Sequence, residues 1–134
     1  MTQAPGGPPE RELVELAHEM FDLARAGEAE RLAAYVDAGV PVDLTDASGN
    51  TLLMLAAYHG HAGTVAALAR RGADVDRLND RGQSPLAGAL FKAEGEVVAV
   101  LLEAGADPDA GTPSGRDTAA MFDQQHLLDP PAPR

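Results

Sequence analysis

"GHAGTVAALARRGADVD" (60–76) is echoed further along by "GEVVAVLLEAGADPD" (95–109). Val65 falls on Val98, 33 residues on; Leu68 then falls on Leu101, Gly72 on Gly105, Asp74 on Asp107 and Asp76 on Asp109. The same offset carries Gly49 to Gly82, Thr51 to Ser84, Leu53 to Leu86 and Ala56 to Ala89. Backwards it takes Gly60 to Gly27, Gly72 to Gly39, Val75 to Val42 and Asp76 to Asp43; forwards it takes Gly82 to Gly115 and Ser84 to Asp117. Matches spread over four windows at one fixed offset mean stacked structural units.

Each window follows one pattern. A small polar residue (Thr51, Ser84, Asp117) stands where a helix needs an N-cap, and Pro85 where the first helical residue falls. Leu52, Leu53, Leu55 and Ala56 mark a short first helix, Gly60 breaks the chain, and Val65 and Leu68 mark the buried side of a second helix. Gly39, Gly72 and Gly105 end the second helices, where a left-handed residue costs little only for glycine. The predicted unit is helix, turn, helix, long loop. The fold expected is an all-α solenoid of seven main helices with protruding loops or short hairpin turns.

At these residues the chain resembles the ankyrin-repeat family, in "DASGNTLLMLAAYHGHAGTVAALARRGADVD" (46–76) and "NDRGQSPLAGALFKAEGEVVAVLLEAGADPD" (79–109). The resemblance covers roughly 12–126 and implies units at 12–45, 46–78, 79–111 and a partial one at 112–126. It departs from the family pattern at Leu52 (for proline), at Met54 and Ala87 (for the motif histidine), at Ala93-Glu94 (for Gly-His) and at Asp43, Asp76 and Asp109 (for asparagine). The missing histidines remove a Thr–His hydrogen bond and leave more of the cohesion to apolar packing. Ala93-Glu94 implies an altered helix–helix turn.

The end units carry their own signals. "ERELVELAHEMFDLARAG" (10–27) reads as an amphipathic cap, with Leu13, Leu16, Met20 and Leu23 facing inward and Glu12, Glu15, Glu19 and Asp22 facing water. "DTAAMFDQQH" (117–126) should supply the only helix of the last unit, since Pro130, Pro131 and Pro133 prevent continuation. The segment 1–11 reads as a disordered N-terminal tail and 127–134 as a Pro-rich C-terminal tail, disordered over 129–134. Phe21, Tyr35 and Phe122 align with core positions. The C-terminal tail is expected to cover Phe122 and Leu127–Leu128; a small self-association surface on an otherwise monomeric protein is the alternative.

Composition narrows the function. The 134 residues carry a net charge of −11, contrary to what a phosphate-backbone or anionic-membrane binder needs, so neither nucleic acid nor membrane is an expected partner. There is no cysteine, hence no disulfide or thiolate metal site. Lys92 is the only lysine, beside nine arginines, in a chain rich in Ala, Gly, Pro and Asp, which points to a bacterial, GC-rich genome. "MTQAPGGPPE" has neither the basic nor the apolar region of a signal peptide. The uncharged stretch 47–69 is polar at its centre and reads as two short helices rather than a membrane span. A cytoplasmic location is expected.

No catalytic constellation assembles. His59-x-His61 has a metal-pair spacing but straddles the break at Gly60; a small metal-dependent hydrolase built on it is a remote alternative. Asp43, Asp74, Asp76, Asp107 and Asp109 recur at the repeat offset, as scaffold residues do, and can bond their own turn backbone. Neither G-x-S-x-G nor G-K-[ST] occurs. The resemblance to the ankyrin-repeat family then implies a non-catalytic module, expected without cofactor or metal, that binds a protein on a concave face and loop tips. A dedicated inhibitor, antitoxin or immunity-type partner of one enzyme is the alternative. Positions left free by the scaffold include Asn50, Arg81, Gln83, Ser114 and Arg116 on the loops, with Tyr58, His59, Phe91 and Lys92 on the first helices. Tyr58 and Phe91 share one exposed position in successive units; they either meet a partner or pack on each other. Aromatic residues and arginine are enriched at binding hot spots.

Overall fold

The computed structural model describes residues 10–129, which form eight helices. They are α1 (Glu10–Ala26), α2 (Ala29–Asp37), α3 (Leu52–Tyr58), α4 (Ala62–Arg70), α5 (Pro85–Phe91), α6 (Gly95–Glu103), α7 (Gly115–Met121) and α8 (Gln125–Leu128). Helices α1, α3, α5 and α7 lie side by side as one layer; α2, α4, α6 and α8 form the second, and each pair packs within its own unit. Among the described residues there is no strand, only one isolated bridge, Thr45 to Thr51. No described helix is long and apolar enough to cross a membrane.

The first helices start where the sequence supplies a cap. The Thr51 hydroxyl accepts from the Met54 N–H, and the Ser84 hydroxyl from the Ala87 N–H, both at 3.1 Å. The inward faces of both helix layers then form one continuous core: Met20, Leu32, Leu53, Val65, Leu68, Leu86, Leu90, Val97, Val98 and Leu101 are almost wholly buried. Each such side chain contributes about 1.5–3 kcal/mol of burial. Leu13, expected inward, is instead 49% exposed. Helix α1 has 17 residues and its neighbour α3 only 7, so the extra turns of α1 run past α3.

The turns between paired helices are alike in all four units. Glu28, His61, Glu94 and Gln124 donate their N–H to Leu23, Ala56, Ala89 and Ala119 at 3.0, 2.9, 2.9 and 2.7 Å. The residue before each donor has positive φ: Gly27 at 74°, Gly60 at 80°, Ala93 at 55° and Asp123 at 56°. The Ala93-Glu94 turn is thus not altered, contrary to expectation; alanine is held in the glycine conformation. His61 also donates from Nε2 to the Arg25 carbonyl at 2.8 Å, with its ring over Gly27. Glu94 lies in the same way against Gly60, but a carboxylate has no proton to donate. Ala93→Gly should relieve about 1–2 kcal/mol of left-handed strain against about 0.5–1 kcal/mol of added unfolded-state entropy. A net gain of about 0.5–1 kcal/mol is expected in urea unfolding; a lowered midpoint would show that Ala93 is not strained.

The last unit departs most from expectation. The cap of α7 is Ser114, which takes the place of Ser84 at an offset of 30, not 33. Its hydroxyl accepts from the Asp117 N–H at 3.0 Å, while the Asp117 carboxylate accepts from the Ser114 N–H at 3.4 Å. Asp117 is therefore the third residue of the helix and not its cap. Ser114 is buried rather than free. The unit also has a second helix, α8, making eight where seven were expected. The turn at Asp123 redirects the chain, and Leu127 and Leu128 then pack on the core cluster. The expected N-terminal tail ran to 11 and the C-terminal one began at 127, but Glu10 already lies in α1 and Leu127–Leu128 in α8. Residues 1–9 and 130–134, with the disorder expected of them, lie outside the described residues.

Two backbone-to-carboxylate bonds join the units on the loop side. The Asp74 N–H donates to Asp43 Oδ1 at 3.0 Å and the Asp107 N–H to Asp76 Oδ1 at 2.8 Å. Within each turn Asp76 donates to Asp74 and Asp109 to Asp107, at 3.0 and 2.9 Å. Asp109 in turn accepts from the Arg116 guanidinium at 2.9 Å. The periodic aspartates are thus a ladder that bonds neighbouring units as well as their own turns.

Candidate functional site

Between the first helices and the loop tips runs a groove of about 620 Å³. Met54 and Leu55 of α3, Ala87 and Gly88 of α5 and Thr118 of α7 line it. Ser48, Asn50, Asn79, Arg81, Gln83 and Pro113 line it from the loops. Tyr58, Phe91, Met121 and Phe122, at the C-terminal ends of the first helices, complete it. These four are 41%, 51%, 61% and 47% exposed, a run of large apolar groups left in water across three units.

The loops of this groove are held in place. The Asp46 carboxylate accepts from the N–H groups of Ser48 and Asn50, both at 2.9 Å. Asn79, its counterpart one unit on, accepts from those of Arg81 and Gln83, both at 3.0 Å. The Asn79 amide donates to Asn50 Oδ1 and Gln83 Oε1, each at 2.9 Å, tying one loop to the next. Asn50 and Gln83, expected to be free, are part of this bonding, because an exposed side-chain amide next to a repeated loop is a ready bridge. Asn79 was missed as a site residue. Its equivalence to Asp46 at the repeat offset was the available signal.

Tyr58 and Phe91 do not stack on each other. Each is covered by the C-cap residue of the next unit's first helix. The Lys92 ammonium lies 4.9 Å from the Tyr58 ring centroid, and the Phe122 ring meets Phe91 edge-on at 5.2 Å. Tyr58 also lies across Gly88, where an added Cβ would be 3.6 Å from Cδ1. Phe122, expected in the core, is exposed: the offset of 30 moves it from the Ala89 slot to that of Lys92. His59 packs edge-on against Tyr58 at 5.8 Å. Partial desolvation, then the charges of His61, Arg25 and Lys92, hold its pKa below the usual 6.5, so at neutral pH Lys92 is the cation beside Tyr58.

Of the residues expected to be free for a partner, the groove brings together Asn50, Tyr58, Arg81, Gln83 and Phe91. His59 and Lys92 flank it through Tyr58. Arg116 is not on a loop tip; it lies in the first turn of α7, paired with Asp109. His61 is committed to the Arg25 carbonyl, and among the described residues no three His, Cys, Asp or Glu side chains converge as metal ligands.

A family model for ankyrin repeats, in three copies, matches residues 20–112. An ankyrin repeat protein of Pseudomonas aeruginosa is 45% identical over 62 residues, which cover 46% of this chain and 36% of that protein. The chain thus spans about a third of the length of the curated relative it matches.

Proposed function

The chain belongs to the ankyrin-repeat family, whose model covers well over half of it, and from this membership we propose that it is a non-catalytic module holding a partner protein in the groove. Repeats of this family generally mediate protein–protein interaction. The observation that carries the reading is the exposed run of Tyr58, Phe91, Met121 and Phe122 along loops that are already ordered. Ordered loops lose little freedom on binding, and aromatic groups in a concave setting are where binding energy concentrates.

A photocrosslinking residue at position 91 should trap a partner that the same residue at Ala99, exposed on α6, does not. Tyr58→Ala and Phe91→Ala should each weaken binding of the trapped partner by about 1–3 kcal/mol. Their cost in stability should stay below the roughly 3–5 kcal/mol of a buried aromatic truncation. Binding unchanged with stability lost would make the rings packing groups between units. The identity of the trapped protein separates a general adaptor from a dedicated inhibitor of one enzyme.

A further inference from the structure

Building on that reading of the groove, we propose that its occupant is a peptide segment of the partner whose acidic side chain lies between apolar anchors. The chain has 21 acidic residues, yet among the described residues none lines the groove, and Arg81 is the sole charged residue that does. Of the flanking carboxylates, Asp46 and Asp117 are already engaged. Asp46 accepts from two backbone N–H groups and lies within 4.0 Å of Arg25. Asp117 closes the cap of α7, whereas Asp80, exposed beside Arg81, lies against Gly49 and outside the lining.

The cations show the opposite pattern. Arg25, Arg31, Arg71 and Arg116 each hold a carboxylate. Arg81 and Lys92 hold none among the described residues, and both are exposed; Arg70 and Arg77 are exposed and unpaired too, but neither lines the groove. Arg81 stands on the loop wall with its backbone N–H fixed by Asn79, and Lys92 stands at the other side of the groove above Tyr58. A basic segment laid between them would meet two positive charges and no carboxylate in the lining. An acidic one would find a partner on either side of the apolar run. The net charge of −11 does not reverse this, because charges beyond about 8 Å are largely screened at physiological salt.

The test is a random peptide library displayed on phage and panned against the full chain at about 0.15 M salt. Selected sequences are then remade as fluorescein-labelled peptides for anisotropy titration. Enrichment of Asp or Glu next to aromatic or leucine residues is expected. Arg81→Glu should lower affinity for those peptides at least tenfold, with Arg70→Glu on α4 staying within twofold. Replacing the peptide's acid by lysine should restore binding to the Arg81→Glu variant. Selection of basic or uncharged peptides that Phe91→Ala abolishes would overturn the acidic occupant and leave the groove as the binding site. Selected peptides indifferent to both Arg81→Glu and Phe91→Ala, or no selection at all, would overturn both.

Discussion

Leu86→Ala should cost about 3–5 kcal/mol of folding stability. Leu86 is wholly buried, on the helix that joins the third unit to the fourth. Its Cγ and Cδ2 lie so close to α7 that a Cβ on Gly115 would be 3.0 Å from each. Truncation removes a large side chain from that close approach, and two helix backbones fixed by their own hydrogen bonds cannot collapse into the space. A domain of this size has about 5–15 kcal/mol in all, so the loss is a large share of it. Units in such a stack touch only their neighbours, so the damage should be felt first at α7 and α8. Urea unfolding should show the lowered midpoint, and hydrogen exchange should show protection falling there before it falls in α3. Leu102→Ala, at a half-buried position on α6, serves as the comparison and should cost clearly less. Equal effects would mean that the third–fourth interface is not specially dependent on Leu86.

Gly111→Val should be nearly as damaging, for a different reason. Its φ of 87° strains any β-branched residue by about 1–3 kcal/mol. An added Cβ would also stand 2.8 Å from the Gly82 carbonyl oxygen and 3.3 Å from the Ser84 nitrogen, both backbone atoms that have no rotamer to retreat into. That carbonyl accepts from Thr112 at 3.0 Å, so moving it breaks the bond that joins the two loops. A total of about 3–4 kcal/mol is expected, strain and overpacking together. Gly72 and Gly105, at φ of 90° and 93°, have open space where the side chain would go. Valine there should show the strain alone, about 1–3 kcal/mol. The difference between Gly111→Val and Gly105→Val, measured under the same conditions, isolates the cost of close approach. Equal values would show that the Gly82 loop yields.

The layers, the caps at Thr51 and Ser84 and the helix-ending glycines were legible because each rests on local chemistry repeated at a fixed interval. The last unit was misread because the interval was applied where it had already changed. Gly115 and Asp117 match Gly82 and Ser84 by type, and the offset of 33 made them look equivalent. The text held a better sign: "SGRD" (114–117) has the spacing of a reciprocal cap, a serine followed three residues later by an acid. Using it would have placed Phe122 beside Phe91 and added Met121 to the groove. Tyr58 and Phe91 were found because the first three units keep their register. The covering of Tyr58 by Lys92, and the amide bridge from Asn79, depend on how far successive units are displaced sideways. That displacement has no counterpart in the order of residues.

The aspartate ladder bears on how such a gene can grow. Asp43 takes the amide of Asp74, and Asp76 that of Asp107, so each rung needs only the unit before it and the unit after. A tandem duplication of the codons for 46–78 would insert a unit whose donor and acceptor both find mates at once. After Asp109 the rung is filled by the guanidinium of Arg116 instead of a main-chain amide. Copies inserted there would first have to displace that side chain, so inheritance of extra length is easier in the middle of the array than beyond its third unit.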